Sequence, residues 1–502
     1  MSRQLDRREF IKDLALGAAG LCSLGRIAFA EKRGGLKAKG PAKNIVILGG
    51  GLAGLSAAYE LQGAGHNITL VEAKKGFGGR VHTIRGVFAD DQYAEAGALS
   101  FPQSHTFTYG YATDFKLPIR PSFLPGFNEI GDLNGKVFTI PSDGQANIPL
   151  NLTAAERQAG VYGIIGLYLQ KYINLVGDPR KAGWPPATLA PLDQMTCHDF
   201  LTSLRASPGA VEVIQASELG ILGFGLNSIS ALDAVLTEAI APTAPFYEIT
   251  GGNDLLPAAF KSRLTRTTLK KKSVVQSISQ DDTGVTVTYT NAAGPQTIRA
   301  DQVICAIPFA VLKNIPVDPP FSAAKQAAIN GLELTPVTRT YLQYESRPWE
   351  TSGFDGYGIT DIEIQNTYSP TLTQSGQTGI LTSYTGGQNA LDMAAMSESD
   401  RQALARRQMQ NIFAGLSSDF LVGTSQIWQN DPFQLGAFTY FQPGQLTTLL
   451  SAAQQPEGFI HFAGEHTSAW HGWMNGALES GNRAANEVNQ ALASEAIVVG
   501  GR

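Results

Sequence analysis

A short stretch near the start of this 502-residue chain, residues 44–72, constrains the fold more than any other part of the sequence. Residues 44–48 and 67–71 are apolar runs typical of buried parallel strands. Between them, a glycine-rich turn at 49–54 leads into a helical pattern, and Glu72 ends the second run. This order of strand, turn, helix, strand and acid predicts a βαβ unit that binds a dinucleotide.

Each glycine of the turn has a predicted physical role. Gly49 permits the tight turn, Gly51 lets the backbone approach a pyrophosphate, and Gly54 lets helix and strand pack closely. The phosphates would bind N–H groups at the helix start, which have no partner within the helix. The Glu72 carboxylate would accept hydrogen bonds from a ribose diol. The alternative is an ordinary turn between a strand and a helix.

A second glycine-rich segment follows directly, Gly76-Phe77-Gly78-Gly79-Arg80-Val81. Its glycines allow another close approach to the bound nucleotide, and the Arg80 guanidinium can donate to phosphate oxygens. A nicotinamide enzyme of the usual layout has no such second element, which argues against a nicotinamide dehydrogenase.

The C-terminal region carries matching motifs some 400 residues later: Phe462-Ala463-Gly464-Glu465-His466-Thr467, His471-Gly472-Trp473-Met474-Asn475-Gly476-Ala477 and Glu479-Ser480-Gly481. Together with the N-terminal motifs, they resemble the flavin amine oxidases, the superfamily of monoamine, polyamine and L-amino acid oxidases. The resemblance implies that both ends of the chain hold FAD. It places the cofactor contacts at Gly49, Gly51, Leu52, Ala53, Gly54, Glu72, Ala73, Gly79, Arg80, Ala98, Leu99, Val275, Gly464, Glu465, Trp473 and Met474.

The resemblance extends over essentially all of residues 42–490 and implies a mixed α/β fold. A Rossmann-like FAD-binding domain would combine with a substrate domain built on a mixed sheet and with a helical insertion. We predict FAD-binding segments at 42–100, 244–330 and 455–492, substrate-domain segments at 101–150 and 331–454, and a helical subdomain at 151–243. Residue spacing predicts helices at 154–169, 228–240, 255–264 and 397–416, none between 335 and 386, and a hairpin of strands 273–278 and 284–290.

Composition fits a folded enzyme of this size. The hydrophobic content is 43% and the charged content 16%, and 502 residues are too many for one core. The net charge of −5 without a basic patch argues against a nucleic-acid partner. The seven histidines show no metal-ligand spacing, and no G-x-S-x-G elbow indicates a serine hydrolase.

The N-terminal residues have the features of an export signal. Residues 6–12 resemble a twin-arginine motif, and Ala28-Phe29-Ala30 resembles a cleavage site after the apolar stretch 14–24. The alternative, a membrane anchor, would need about 20 apolar residues. We therefore expect residues 1–30 to be removed, residues 31–41 to form a flexible tether, and the protein to be periplasmic or secreted.

The resemblance also implies the chemistry and its site. In this superfamily a flavin oxidises the carbon beside an amine nitrogen, and apolar aromatic walls favour the neutral amine. Phe438 and Trp473 stand at the positions of these walls, with core packing as the alternative for either ring. Ala437 stands where some monoamine oxidases have the cysteine that bonds to flavin, so FAD is expected to be non-covalent.

Two positions depart from the superfamily pattern. Arg339 stands where a lysine usually reaches flavin N5 through a water, and arginine cannot lose its proton. We therefore include Arg339 among the catalytic candidates, with an exposed strand position as the alternative. An amine dehydrogenase that uses a cytochrome or quinone remains the alternative to an oxidase that reduces O2 to H2O2.

Ser100 stands where L-amino acid oxidases carry an arginine that binds the substrate carboxylate. A neutral hydroxyl is a weaker partner for a carboxylate, so the sequence favours a primary or secondary amine without an α-carboxylate, bound near Ser100, Phe438 and Trp473. An α-amino acid is the alternative, with Arg339 or Arg120 as the carboxylate partner. A non-enzymatic FAD-binding protein is the remaining class, and a homodimer is one oligomeric state that the sequence leaves open.

Overall fold

The computed structural model describes residues 35–500, apart from 182, 242–244 and 417–418, with side chains described up to residue 491. The predicted export signal and the first residues of the tether lie outside this range. None of the described helices combines the length and the apolar character that crossing a membrane requires.

Helices and strands are interspersed along the chain, except that helices follow one another through residues 154–240 and strands through residues 268–305. In chain order they are α1 Leu52–Gly63, α2 Thr106–Asp114, α3 Ala154–Ile173, α4 Cys197–Ser203, α5 Pro208–Ala216, α6 Ala231–Ile240, α7 Leu255–Arg263, α8 Phe309–Leu312, α9 Ala323–Gly331, α10 Pro348–Thr351, α11 Gly387–Ala395, α12 Glu398–Ile412, α13 Leu446–Gln454 and α14 Met474–Gly500. Short 3-10 helices lie at Ala190–Gln194, Glu218–Ile221, Trp428–Asn430 and Glu465–Thr467.

The strands form sheets of different kinds. In chain order they are β1 Asn44–Leu48, β2 Asn67–Val71, β3 Thr83–Ile84, β4 Ala94–Glu95, β5 Phe101–Pro102, β6 Ile119–Pro121, β7 Asn128–Leu133, β8 Lys136–Ile140, β9 Phe246–Ile249, β10 Thr268–Lys270, β11 Val274–Asp281, β12 Gly284–Asn291, β13 Gly294–Ala300, β14 Gln302–Cys305, β15 Val317–Asp318, β16 Glu333–Leu334, β17 Val337–Tyr344, β18 Phe354–Thr360, β19 Asn366–Tyr368, β20 Gly379–Gly386, β21 Phe420–Ile427, β22 Thr439–Tyr440 and β23 Ile460–Phe462.

A parallel five-stranded sheet, ordered β10-β2-β1-β14-β23, forms the centre of the nucleotide-binding region. Strand β1 pairs in parallel with β2 and β14, and β14 with β23. All five strands come from the three segments assigned to FAD binding. The βαβ unit is confirmed, because β1, α1 and β2 follow each other as the sequence predicts. The carboxyl ends of such strands are where open α/β sheets bind ligands.

The long C-terminal helix α14 packs against α1 at close range. A side chain at Gly481 would clash with the carbonyl of Ala53 and with the hydroxyl of Ser56. The glycine therefore lets the C-terminal motif lie directly on the nucleotide-binding helix, which brings both ends of the chain together.

A mixed seven-stranded sheet, ordered β21-β17-β20-β19-β18-β7-β8, carries the other half of the molecule. Its strands all come from segments 101–150 and 331–454, which were assigned to the substrate domain. Every residue of β17 is buried, so both of its faces are covered. The predicted hairpin is also present, as β11 paired antiparallel with β12.

The helix predictions need three corrections. Helix α2 lies in a stretch expected to be loops and strands, and it forms because Phe107 and Tyr111 are buried in the core around α1. One short helix, α10, interrupts the stretch predicted to have none, where Trp349 is buried. Helix α3 extends to Ile173 and is broken at Gly160, whose φ is 68°.

Candidate active site

A cavity of about 580 Å³ runs between the parallel sheet, the mixed sheet and the helical subdomain. Of the site residues that the sequence predicts, all line it except Gly54 and the alternative carboxylate partner Arg120. The lining set comprises Gly49, Gly51, Leu52, Ala53, Glu72, Ala73, Gly79, Arg80, Ala98, Leu99, Ser100, Val275, Arg339, Phe438, Gly464, Glu465, Trp473 and Met474. Residues up to about 425 positions apart in the sequence thus meet on one surface.

The glycine turn at the end of β1 has the geometry that its predicted roles require. Gly49 has φ +101°, and a side chain there would lie 2.9 Å from the Ala306 carbonyl oxygen. A side chain at Gly54 would clash with the Gly49 carbonyl, so this glycine keeps the helix on the strand. A side chain at Gly51 would meet open space, because this position faces the cavity.

Gly50, which the sequence reasoning missed, is equally constrained. A side chain at Gly50 would lie 2.5 Å from the Phe77 ring and 2.9 Å from Glu72 Oε2. Its N–H donates to Glu72 Oε2 over 2.6 Å. The run of three consecutive glycines, of which Gly50 is the second, was the available signal.

Glu72 sits at the nucleotide end of the cavity with a 9% exposed surface. Its carboxylate accepts from the N–H of Gly50 at 2.6 Å and from the N–H of Lys74 at 2.7 Å. Burial raises the pKa of Glu72, and those two N–H groups lower it in part. A carboxylate has about four acceptor positions, so Glu72 retains acceptor capacity for a ribose diol.

Replacing Glu72 by alanine is expected to weaken FAD binding about 10- to 150-fold, because charge-assisted hydrogen bonds worth about 1.5–3 kcal/mol are lost. The ratio of flavin to protein absorbance after serial dilution measures this. Glu72→Gln, which keeps one oxygen acceptor, should lose less. Equal retention in all three proteins would contradict the assignment of Glu72.

Arg80 has two partners within the protein itself. Its Nη1 donates to Glu465 Oε1 and to the Ala437 carbonyl, each over 2.7 Å. This ion pair joins the N-terminal and C-terminal motifs across the cavity wall. The sequence did not indicate this structural role, and the phosphate contact of Arg80 stays a prediction, since both bonds use only Nη1 of the guanidinium.

Glu465 is surrounded by donors. Its Oε2 accepts from the Gly472 N–H over 2.8 Å, and its Oε1 accepts from the Thr439 hydroxyl over 3.1 Å. Burial raises the pKa of Glu465, but the Arg80 charge and the Gly472 N–H contribute to lowering it further, to about 2. Glu465 thereby fixes the backbone next to Trp473.

The aromatic pair predicted for the substrate site lies on the same cavity. Trp473 contacts the His105 ring edge-to-face at 4.8 Å and lies 6.4 Å from the Phe246 ring. A side chain at Gly472 would lie 3.7 Å from Phe438 Cβ, so Phe438 is next to the motif that carries Trp473. Both rings are half-buried, with one side facing the cavity.

Arg339 is buried, with 5% of its surface exposed, so the alternative of an exposed strand position is wrong. Its Nη1 donates to the carbonyls of Glu95 at 3.2 Å, Ala96 at 3.3 Å and Gly97. Its guanidinium carbon lies 4.1 Å from the centre of the Tyr384 ring. Among the described residues, no carboxylate lies within 4 Å of this guanidinium, and its Nε has no hydrogen-bond partner.

The second candidate for a carboxylate partner, Arg120, is placed elsewhere. It does not line the cavity, and its Nε donates to Glu248 over 2.7 Å while its Nη2 donates to the Tyr93 hydroxyl over 3.0 Å. Arg120 as a substrate partner is therefore wrong. Arg120 lies in β6, which pairs with β9 in a small separate sheet.

The residues that line the cavity without having been selected from the sequence include Glu218, Glu238, Tyr384, Trp428 and His471. His471 stood within a quoted motif, and its Nε2 lies 2.9 Å from the buried Asp233 carboxylate. Tyr384 could be placed at the site only from the strand register, which pairs it with Arg339 in the sheet. The sequence carries no local signal for the other three.

The residues present fit FAD. The cavity has backbone without side chains at Gly51, a carboxylate at the nucleotide end, and aromatic walls at the other end. Neither described cysteine, Cys197 or Cys305, lines it, and this agrees with non-covalent binding. In the part of the chain that the structure describes, no group of three metal-binding side chains is present.

Comparison with known proteins agrees with this geometry. A family model described as flavin containing amine oxidoreductase matches residues 52–489. The putative L-amino-acid oxidase YobN of Bacillus subtilis (strain 168) is 34% identical over 91% of this chain and 97% of its own length. An L-amino-acid oxidase of Siganus canaliculatus is 29% identical over 90% of this chain and 86% of its own length.

Solved structures share the fold. Cyclohexylamine oxidase from Brevibacterium oxydans IH-35A has a TM-score of 0.78 at 22% identity, covering 90% of this chain and 100% of its own. Wild-type putrescine oxidase bound to putrescine has a TM-score of 0.77 at 20% identity, covering 89% of this chain and 99% of its own.

Proposed function

The chain belongs to the family of flavin-containing amine oxidoreductases, and from this premise we propose that its substrate is an α-amino acid. It is an FAD-dependent enzyme that oxidises a C–N bond. Bound FAD supplies the acceptor for a hydride equivalent from the carbon that carries the amine. The residues that would hold FAD are those that line the nucleotide end of the cavity, with Glu72 and the turn at 49–54 foremost.

The buried cation Arg339 carries the proposal. A charge removed from water is costly unless an opposite charge accompanies it, and the groups that accept from Nη1 are neutral carbonyls. Arginine keeps its charge at any working pH. A substrate carboxylate would supply the missing negative charge on the cavity wall.

This proposal departs from the sequence-based preference for an amine without a carboxylate. That preference depended on Ser100, which lines the cavity as expected but contributes only a neutral hydroxyl. The burial of Arg339 on the same cavity favours an α-amino acid over an amine without a carboxylate. A guanidinium forms charge-assisted hydrogen bonds to a carboxylate that are about twice as strong as neutral ones. The names of the curated relatives support the same choice.

The remaining wall residues favour the neutral form of the amine. Phe438, Trp473 and Tyr384 offer ring surfaces, and an apolar environment lowers the pKa of an ammonium group. Hydrolysis of the resulting imine by water gives a 2-oxo acid and ammonia. We propose that O2 takes up the two electrons and two protons, giving H2O2, with an amine dehydrogenase as the alternative.

The location is proposed from the sequence. The twin-arginine motif at residues 6–12 and the cleavage site at 28–30 support export to the periplasm or beyond. Twin-arginine export moves folded proteins, which suits a chain that must capture FAD first. Detection of mature protein that lacks residues 1–30 in the envelope fraction would support this.

Matched substrates test the proposed function. In air-saturated buffer, L-phenylalanine is expected to give a higher kcat/KM than phenethylamine, with ammonia and H2O2 released in equal amounts. The two compounds differ only by the carboxylate, so the ratio isolates its contribution. A consistent preference for the amines over such pairs would refute the amino acid proposal, and turnover only with an artificial electron acceptor would refute the oxidase.

A further inference from the structure

The helical subdomain contributes an acidic pair to the cavity. Glu218 stands at the start of the 3-10 helix Glu218–Ile221, and Glu238 lies in the last turn of α6. Both line the cavity, where their neighbours on the same wall are mostly apolar: Leu219, Ile221, Leu222 and Ala241. A carboxylate such as that of Glu238 on an otherwise apolar wall is unexpected unless a positive charge binds there.

Several contacts place this wall beside the aromatic substrate site. Asp233 on α6 lies 2.9 Å from His471 Nε2. Near the end of the same helix, the Ile240 carbonyl accepts from His105 Nε2 over 2.7 Å, and the His105 ring contacts Trp473. Helix α6 is therefore fixed to the Trp473 motif at both ends, and Glu238 lies between these attachments.

The 3-10 helix is fixed to the mixed sheet. A side chain at Gly386, the last residue of β20, would clash with the Ile221 carbonyl. Tyr384 lies two residues earlier in that strand, in contact with Arg339. The negative charge of Glu218 contributes to raising the pKa of the Tyr384 hydroxyl, after the larger effect of burial. The acidic wall therefore borders the Arg339 site.

The surroundings of Glu238 disfavour its negative charge, and a bound cation would stabilise it. Burial, followed by repulsion from Glu218, raises the pKa of Glu238 to about 7. Within the described ranges, no lysine, arginine or histidine nitrogen lies within 4 Å of its carboxylate. A bound positive charge would offset both the burial of the Glu238 carboxylate and its repulsion from Glu218.

Arg339 provides a second, independent indication of a ligand. It is 95% buried on the same cavity, with an unpartnered Nε and no carboxylate within reach among the described residues. The cavity thus carries a buried cation at Arg339 and, above about pH 7, a carboxylate at Glu238 on an adjoining wall, and among the described residues neither has a counterion within 4 Å. One ligand with both a carboxylate and a cationic end would satisfy them together.

We propose that the substrate carries a second positive charge, an ammonium or guanidinium at the end of its side chain, which pairs with Glu238 while its α-carboxylate pairs with Arg339. The enzyme would thus select basic amino acids such as lysine, ornithine or arginine. This inference rests on the proposed function, because it assumes that an amine is oxidised at this site.

Substrate pairs on the wild-type holoenzyme test it first. L-lysine and L-norleucine differ only by the terminal amine, and we expect kcat/KM at pH 8 to favour lysine by at least tenfold. Oxidation of norleucine as fast as lysine would overturn this inference and leave the proposed function intact. If no amino acid or amine bleaches the flavin anaerobically, the proposed function itself fails. If pentane-1,5-diamine gave a higher kcat/KM than lysine, the pairing of a carboxylate with Arg339 would be refuted, but the cation site at Glu238 would not.

Glu238→Gln removes the negative charge at nearly constant shape. The ratio of kcat/KM for lysine to that for norleucine is expected to fall close to one in this variant. Glu212→Gln makes the same change in the helical subdomain at a residue that does not line the cavity, and its ratio should match the wild type. An unchanged ratio in Glu238→Gln would overturn the inference.

If Glu238→Gln does not fold, a binding measurement on the wild-type protein tests the cation site instead. 6-Aminohexanoate has the carboxylate-to-ammonium spacing of lysine without the α-amine, and hexanoate lacks the ammonium. Titration of the wild-type holoenzyme, followed by the flavin absorbance spectrum, should give a Kd at least tenfold lower for 6-aminohexanoate. Equal affinities would contradict a cation site at Glu238.

Discussion

Replacing Arg339 by methionine is expected to lower kcat/KM for L-phenylalanine by roughly 30-fold to 3,000-fold relative to phenethylamine. Truncating one partner of a buried hydrogen-bonded charge pair costs about 2–5 kcal/mol, and about 1.4 kcal/mol corresponds to tenfold. Methionine keeps the length of the side chain and removes its charge. Steady-state kinetics on both substrates measure the effect.

The ratio of kcat/KM for the two substrates distinguishes a role of Arg339 in binding the carboxylate from a role in folding. Arg339 also donates to the carbonyls of residues 95–97, so a purely structural role would lower both activities by the same factor. Arg120→Met is the matched control, since Arg120 lies outside the cavity and its loss should leave the ratio unchanged. If Arg339→Met keeps the wild-type ratio, the carboxylate is bound by another group.

The second large effect is expected at Gly54. Gly54→Ala should abolish FAD retention, because its methyl group would clash with the Gly49 carbonyl and separate α1 from the turn that holds the pyrophosphate. Overpacking of this kind costs about 1–3 kcal/mol or more. The flavin-to-protein ratio and the thermal midpoint of the apoprotein should therefore both fall.

Two glycines of the same helix region serve as comparisons. Gly63→Ala has no atom within 4 Å of its new methyl group, so FAD retention should be unaffected and stability should rise by about 0.5–1 kcal/mol. Gly51→Ala faces the cavity, so the apoprotein should keep its thermal midpoint while FAD binding weakens. A Gly54→Ala protein with full flavin content would show that helix and strand can separate without loss of the site.

Much of the nucleotide site was predictable because it is local in sequence. A tight turn, a helix start and an acidic strand end all lie within residues 44–72, and each is dictated by backbone conformation or by charge at that position. The glycines at 49, 51 and 54 have the conformations or spaces that their roles require. The C-terminal motif was equally recognisable, because its composition is unusual and continuous.

The charged partners were not predictable, because they depend on which distant segments meet. Arg80 pairs with Glu465 across 385 residues, a contact that neither motif specifies. Arg339 is buried because β17 lies inside the mixed sheet, whereas an alternating strand in the sequence is equally compatible with exposure. Strand register then sets Arg339 opposite Tyr384.

The sequence by itself determined that this chain binds a dinucleotide and belongs with the flavin amine oxidases, since those properties reside in short segments whose chemistry does not depend on the rest. Only the tertiary structure decided which charges face the substrate. Glu238 and Arg339 come from a helical insertion and from a central strand, and the packing of α6 against the Trp473 motif brings them to one cavity. Side-chain burial and electrostatic pairing are properties of that packing, so no local pattern could have revealed them.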